Sequence, residues 1–343
     1  MASPRPPQLP RGPQRTPITP ILIVVLALTL LASPACERSP GTSPSTPAAN
    51  QSNAYLIPRV VALAPAIASN LRAAGLADFI VARHAFDAWS PGTLPIVGDQ
   101  EGIDFEKLIT VRPTHVFLQW GARPLPERLE ALAREHAWTL VNYPLLTLED
   151  TMDAADDMAS RVREAARAAA PATPATPASA ATPAAVQAPT LRAQLDQLFK
   201  DEALTDSQRS VVGKVLILHT TSPPAAMGPG SYHDQIARRL NADLAITTGS
   251  PYMTLDAEDI AALNPALIIL VQPREPAQPA ASQSEVINRL GVLANLKVEA
   301  VQRARFALID DPEALLPGAP LVEFARALAK HLHARAVQSV PGS

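Results

Sequence analysis

The chain has 343 residues, of which 47% are hydrophobic and 18% charged, and its formal net charge is −3. This length suits about two domains, and the apolar content excludes global disorder. The charge argues against nucleic-acid binding, which requires a basic surface, and the single cysteine excludes an intrachain disulfide, a CxxC redox pair and a cysteine-rich zinc site.

The N-terminus is typical of an export signal. Basic, proline-rich sequence without acidic residues precedes a twelve-residue apolar run, Ile21–Ala32. A helix of that length measures about 18 Å, too short for a bilayer core of ~30 Å, so a signal peptide is predicted over 1–35. The small residues before Cys36 resemble a lipobox, although Ser33 stands where leucine is usual, and predict lipidation of Cys36. Ordinary cleavage after Ala35 is the alternative, and both imply export to the periplasm or cell surface.

Two proline-rich segments divide the rest of the chain. Residues 36–56 are polar and predict a disordered tether. Residues 168–189 alternate alanine and proline, which neither a helix nor a central strand tolerates, and predict a surface loop. The folded parts are then an N-terminal lobe at 57–167, a connecting-helix region at 190–213 and a C-terminal lobe at 214–338.

Short apolar runs alternate with helical patterns in both folded parts. In the first, we predict a strand at 60–63, a helix from 66 ending near Gly75, a strand at 79–82, a helix from 105 capped by Asp104, a strand at 115–119, a helix at 126–137, a strand at 139–143 and a helix from Thr147 towards 167.

In the second, we predict a helix from 190 to between 199 and 207, a strand at 214–219, helices at 233–241 and 257–263, a strand at 266–272, a helix at 284–290, a strand at 306–309 and a helix at 321–336. This alternation indicates two lobes, each built on a parallel α/β sheet that helices cover on both faces.

One unit occurs once in each lobe. Glu106 precedes Pro113 and a buried strand with the same spacing as Glu258 precedes Pro265 and another. The helix dipole accounts for a glutamate in each first turn. It does not account for the repetition, which indicates two lobes of similar build.

Five segments spread over residues 59–335 carry a family resemblance: RVVALAPAIASNLRAAGL, IVGDQEGIDFEKLITVRPTHVFLQ, GPGSYHDQIARRLNADLA, DAEDIAALNPALIILV and PGAPLVEFARALAKHL. In this order they resemble the helical-backbone substrate-binding proteins of ABC transporters, which capture cobalamin, haem and iron–siderophore complexes. The resemblance implies an α/β fold of two lobes joined by a long connecting helix, with the ligand in the cleft between them.

The resemblance also implies partners. Glu106 and Glu258 would be the one acid per lobe that docks onto arginines of a permease dimer. The protein would be a monomer without an intrinsic cofactor, and its small chelate ligand would carry cobalt or iron.

Ligands of α/β lobes gather at the carboxyl ends of strands. The sequence positions and the resemblance together give these candidates for the cleft: His84, Gln100, Gln119, Trp120, Tyr143, His219 and Tyr252, with Trp89, Met227 and Tyr232 in neighbouring loops.

His84 and His219 belong to opposite lobes, and a neutral imidazole is a common ligand for haem iron or cobalt. One or both would coordinate the metal of the chelate, or each would pack in the cleft wall instead. A bare zinc site is disfavoured because it needs three or four clustered ligands. An anionic siderophore would call for cations in the cleft. Arg83, Arg123 and Arg274 are available, and the alternative is that most of these arginines are solvated.

The sequence contains no GxSxG, HExxH, GxxxxGK[ST] or GxGxxG motif, which argues against an enzyme. The favoured function is therefore a substrate-binding lipoprotein of an ABC importer, with cobalamin, haem and ferric siderophore open as ligands. The alternatives are a haem- or metal-dependent enzyme and an orphan surface scavenger on the same scaffold.

Overall fold

The computed structural model describes residues 57–99, 101–169, 189–279 and 281–337. The strands are β1 (Val60–Ala62), β2 (Ile80–His84), β3 (Ile96–Gly98), β4 (His115–Leu118), β5 (Thr139–Asn142), β6 (Val215–Thr221), β7 (Pro224–Met227), β8 (Tyr252–Thr254), β9 (Leu267–Val271) and β10 (Phe306–Ile309). The helices are α1 (Pro65–Ala73), α2 (Phe105–Thr110), α3 (Glu127–Glu135), α4 (Leu148–Ala169), α5 (Leu191–Glu202), α6 (Asp206–Val212), α7 (Tyr232–Arg239), α8 (Ala257–Leu263), α9 (Gln283–Leu290), α10 (Glu299–Gln302) and α11 (Leu321–Val337).

The strands form two five-stranded sheets. The first has the order β3-β2-β1-β4-β5, and every neighbouring pair in it is parallel. The second has the order β10-β9-β6-β7-β8, in which β6, β9 and β10 are parallel. In each sheet the chain changes direction across a central strand, β1 or β6, and the crevice at such a point is where α/β sheets hold ligands.

The second sheet corrects the expectation of two wholly parallel sheets. Its strands β7 and β8 are antiparallel to their neighbours. Only Ser222 and Pro223 separate β6 from β7, and so short a connection permits a hairpin but no crossover. Strands β7 and β8 have only three or four residues and lie beside prolines and glycines, so the sequence shows no strand pattern there. Strand β3 was not predicted for the same reason.

The local signals that predicted helix ends are confirmed. The Asp104 side chain accepts a hydrogen bond from the Lys107 backbone N–H at the start of α2. Thr147 and Asp150 bond each other's backbone N–H groups at the start of α4. Gly75 follows α1 with a φ of +71°, a conformation that glycine adopts without strain.

The helix that packs on both sheets is α4, not the 190–213 region where we expected it. Leu148 and Met152, in its first turns, belong to the core of the second sheet. Met158 and Val162, further along, belong to the core that α1 and β1 form in the first sheet. The 190–213 region forms α5 and α6, and their buried apolar side chains belong to the second core. The proline-rich segment therefore follows the connecting helix instead of preceding it.

The export signal, the tether and Cys36 lie outside the described residues, as does most of the alanine- and proline-rich segment. Helix α4 continues through residues 168 and 169, where a loop was expected, before the description stops. Within the described ranges, no helix combines the length and the apolar character needed to cross a bilayer.

Residues 311–319, which we call the bridging segment, link the two lobes. The Ala319 backbone N–H donates to Asn70 Oδ1 on α1, at 2.7 Å. Arg72, also on α1, forms an ion pair with Glu313 of the segment at 2.8 Å. Gly318 has a φ of +116°, and a Cβ atom there would collide with the Asn70 side chain. Only glycine allows this close approach.

We predict that Gly318→Ala destabilises the protein by about 2 kcal/mol. The new methyl group would collide with the Asn70 side chain, and alanine is strained at the positive φ of this position. Urea unfolding followed by circular dichroism measures the change. Gly92→Ala is the matched control, since a Cβ there meets no atom within 4 Å. Equal stability of both variants would contradict a packing role for Gly318.

Candidate functional site

One wall of the candidate site is formed by His219 and Tyr252 of the second sheet. The ring of His219, near the carboxyl end of β6, stands edge-on to the ring of Tyr252 with 6.3 Å between their centroids. Tyr252 is 50% exposed. Partial burial lowers the pKa of His219, which favours the neutral imidazole, and no hydrogen bond engages its ring within the described part of the chain. A neutral histidine in this state has a nitrogen lone pair available for a metal.

Tyr232 and His233 support this wall from behind. They open α7, where the Ser231 side chain caps the helix. Tyr232, predicted as a wall residue, is buried, and its hydroxyl donates to the Leu315 carbonyl at 2.8 Å. Burial raises the pKa of Tyr232, and the nearby Tyr252 side chain raises it further. Tyr232 therefore ties the wall to the bridging segment.

His233 is fully buried beside Tyr232. Its Nε2 atom lies 3.0 Å from the Ala314 carbonyl oxygen, so it carries the proton and donates it. The ring also packs edge-on against Phe324, with 4.6 Å between centroids. Burial lowers the pKa of His233 to about 4. Nothing in the sequence distinguishes this residue, because its burial depends on α11 and the bridging segment.

His84 lies at the carboxyl end of β2 in the first lobe, and a hydrogen bond engages its ring. Nδ1 accepts from the Phe86 backbone N–H at 3.1 Å. The neutral ring then carries its proton on Nε2, and the nearby Asp99 backbone partly offsets the lowering of the His84 pKa by burial. This arrangement leaves no lone pair for a metal. The structure therefore argues against His84 as a metal ligand and favours a wall role.

The loop after His84 displays two aromatic rings. Phe86 is 58% exposed and Trp89 43% exposed. The buried carboxylate of Asp87 accepts from the backbone N–H groups of Trp89 and Ser90, which fixes the loop from within. Trp89 was a candidate from the sequence, and Phe86 was missed. The sequence feature that could have identified Phe86 is an aromatic residue two positions after a histidine at a strand end.

Trp120 and Gln119 follow β4 at the same sheet edge. The Trp120 backbone N–H donates to Asn142 Oδ1 at 2.8 Å, and the Arg123 guanidinium lies 4.8 Å from the centre of its ring. Gln119 is exposed. Tyr143 is buried instead and donates its hydroxyl to Asp157 at 2.8 Å, so it supports the lobe from within.

The other candidates have separate positions. Gln100 lies outside the described residues. Met227 is buried in the core of the second sheet. Arg83 donates to the Asp87 carbonyl at 2.8 Å, and Arg274 lies 3.7 Å from a carboxylate oxygen of Asp310.

A chain of polar contacts connects the two walls. Arg72 bonds Asp87, which fixes the Trp89 loop, and Glu313 of the bridging segment. The next residues of that segment accept the hydrogen bonds of Tyr232 and His233. Burial raises the pKa of Glu313, and the charge of Arg72 opposes that rise. No ring contact or hydrogen bond joins His84 directly to His219 among the described residues.

The two acids predicted to dock a permease are both exposed. Glu106 lies in the first turn of α2, which leads into β4, and Glu258 in the first turn of α8, which leads into β9. A helix that leads into a parallel strand runs antiparallel to it, so its first turn lies at the carboxyl edge of the sheet. In each lobe, the acid is therefore at the same edge as the wall residues. Neither forms an ion pair with another described residue.

The described ranges contain no group of three or more histidine, cysteine, aspartate or glutamate side chains arranged to hold a metal ion. Of the two candidate histidines, only His219 offers a ring nitrogen as a metal ligand. A metal bound there would have to bring its remaining ligands with it, as the metal of a chelate does.

No protein-family model matches the chain, and no curated protein matches its sequence. Several solved structures share its fold. The periplasmic vitamin B12 binding protein BtuF of Vibrio cholerae is 16% identical, with a TM-score of 0.56 over 81% of this chain and 97% of BtuF. A periplasmic haem-binding protein from Pseudomonas aeruginosa is 18% identical, with a TM-score of 0.57 over 84% of this chain and 96% of its own.

A possible iron-binding periplasmic protein from Staphylococcus epidermidis is 15% identical, with a TM-score of 0.55 over 80% of this chain and 98% of its own. The predicted fold class, two α/β lobes of the periplasmic binding-protein type, is confirmed. The resemblance drawn from the five sequence segments is confirmed at the level of the fold.

We predict that protonation of His233 destabilises the protein in acid. Its pKa falls from 6.5 to about 4 on folding, so its contribution is complete above pH 6.5 and is lost as the pH falls towards 4, by roughly 3 kcal/mol in total. His233→Gln keeps a donor for Ala314 and should flatten the pH dependence of the free energy of unfolding between pH 7 and 4. The exposed His136→Gln serves as control. An unchanged slope in His233→Gln would contradict the assignment.

Proposed function

We propose that the protein is the substrate-binding component of an ABC importer, which captures a metal-bearing chelate and delivers it to a permease. The observation that carries this proposal is the wall of His219 and Tyr252 on a fold shared with periplasmic binding proteins for vitamin B12 and haem. Binding rather than catalysis also agrees with the site, where the described residues offer aromatic and imidazole groups but no activated nucleophile.

The aromatic and imidazole groups favour a metal macrocycle over an anionic siderophore. Phe86 and Trp89 expose flat apolar rings, and His219 supplies one metal ligand. Of the three arginines that a siderophore could use, Arg83 is bonded to a backbone carbonyl and Arg274 lies beside Asp310, whereas Arg123 stacks on the Trp120 ring. Haem and cobalamin are therefore the leading ligands in this proposal, with the iron or cobalt belonging to the ligand.

Export and anchoring form part of the same proposal. The apolar run at 21–32 and the small residues before Cys36 support export and lipidation of Cys36, and the shared fold with periplasmic proteins supports a periplasmic location. The tether at 36–56 would then hold the lobes close to the membrane that carries the permease.

We predict that His219→Ala weakens binding of a haem or cobalamin ligand by about tenfold or more, which corresponds to ~1.4 kcal/mol, because it removes the one available metal ligand. The purified protein is titrated with hemin, cyanocobalamin and a ferric siderophore, following visible absorbance and tryptophan quenching. A saturable Soret shift that His219→Ala abolishes is expected for haem.

His84→Ala is the matched variant. Because the acceptor nitrogen of His84 is occupied within the first lobe, this variant should retain the Soret shift even if affinity falls. Loss of the shift in His84→Ala alone would reverse the assignment of the two histidines. Failure of all three ligands to bind would overturn the proposed function.

We predict that reversing both acids, Glu106→Lys with Glu258→Lys, abolishes uptake and leaves ligand affinity unchanged. Exposed ion pairs contribute only about 0.2–1 kcal/mol each, so these acids would orient the complex on the permease. Transport of labelled ligand into cells and titration of the purified variant separate the two effects.

The matched control is Glu135→Lys with Asp243→Lys. These exposed acids, one in each lobe, lie near the strand starts, at the edges opposite the walls. The control alters the net charge equally and should transport normally. Uptake by the Glu106 and Glu258 variant at the control rate would overturn the docking role.

A further inference from the structure

A groove lies between β8 and α8 of the second lobe, and we call it the Met253 groove. It is lined by residues 245–248, by residues 253–255 and by Asp259, Ala262 and Leu263 of α8. It encloses about 750 Å³ of space that is open to solvent. Its floor is apolar, because Ile246 and Leu255 belong to the buried core beneath it, and its rim is exposed.

Strand β8 separates this groove from the candidate site. Successive side chains of a strand point to opposite faces, and here Tyr252 faces His219 whereas Met253 lines the groove. The Met253 side chain is half-buried and packs beside Gly249, where a Cβ atom would collide with the Met253 sulfur. Methionine is unbranched and polarizable, so it adapts its shape to an entering side chain. The groove therefore has a deformable apolar side on the strand that carries Tyr252.

Three acidic side chains stand at the start of α8, beside the groove. Asp256, Glu258 and Asp259 are exposed, and none of them forms an ion pair with a basic residue of the described ranges. The carboxylates of Asp256 and Asp259 accept from each other's backbone N–H groups, which caps the helix. Glu258 and Ala262 are four residues apart, so they are neighbours on the helix surface, and Ala262 lines the groove. Negative charge therefore borders an apolar opening.

We propose that the Met253 groove receives an apolar side chain of the permease, from a segment that also presents a basic side chain to Glu258. This inference rests on the proposed function and adds an apolar contact to the docking acids. Exposed ion pairs contribute little to binding, whereas interfaces owe most of their affinity to a few side chains that fill desolvated pockets. A second copy of this chain docking through the same face would bring two acidic rims together, which like-charge repulsion opposes.

The test measures uptake of hemin or cyanocobalamin by cells and binding of the same ligand to the purified full-length protein. Ala262→Trp fills the groove with an indole from the exposed side of α8. It should lower uptake at least tenfold and leave ligand affinity unchanged. Thr248→Trp, on a part of the rim that another segment forms, should have the same effect without a change in α8. Circular dichroism establishes that both variants are folded.

Ala261→Trp is the matched control. Ala261 is an exposed alanine of the same helix, about 100° around the helix axis from Ala262, and it does not line the groove. This variant should transport normally. Uptake by Ala262→Trp and Thr248→Trp at the control rate would overturn the groove proposal, even where reversal of Glu106 and Glu258 abolishes uptake.

The remaining outcomes separate this proposal from the proposed function. Light scattering tests the other occupant: a dimer that Ala262→Trp converts to monomers would identify a second copy in the groove and overturn the assignment to the permease. Loss of uptake in Ala262→Trp with normal uptake in the Glu106 and Glu258 variant would support the groove and overturn only the role of the acids. Absence of uptake with the unaltered protein would overturn the proposed function, and this proposal with it.

Discussion

The geometry of the candidate site depends on the ion pair between Arg72 and Glu313. Arg72 belongs to the first lobe and Glu313 to the bridging segment, whose following residues are bonded by Tyr232 and His233 of the second lobe. The same arginine bonds Asp87, which holds the loop that exposes Phe86 and Trp89. A half-buried charge destabilises the protein unless its partner is present. A few polar groups therefore fix the position of one wall relative to the other. Helix α4 adds an apolar link, because it packs on both cores.

The two candidate histidines show how neighbours decide chemistry that residue type leaves open. Both have a pKa lowered by burial and favour the neutral ring. The neutral ring has one donor and one acceptor nitrogen. In His84 the Phe86 N–H occupies the acceptor, whereas the ring of His219 has no hydrogen bond among the described residues. The difference arises from a backbone turn of two residues after β2.

Strand direction distributes charge over the molecule. Because α2 and α8 each lead into a parallel strand, Glu106 and Glu258 lie at the carboxyl edges beside the site walls. Arg303, Arg305 and Arg335 lie at the amino edge of the second sheet. The proposed contacts with a permease therefore lie at the edge that also carries the site walls.

The sequence by itself determined the α/β class, the buried strands and most helix ends, because short-range apolar patterns and caps such as Asp104 and Thr147 are local properties. It also placed His219 at a strand end and Tyr252 in a loop, and the structure brings their two rings together. Only the tertiary structure decided that α4 connects the lobes, that β7 and β8 run antiparallel, that Tyr232 lies behind the wall and that the acceptor nitrogen of His84 is occupied. Each of these depends on contacts between residues far apart in the chain or on backbone geometry, for which a one-dimensional pattern carries no signal.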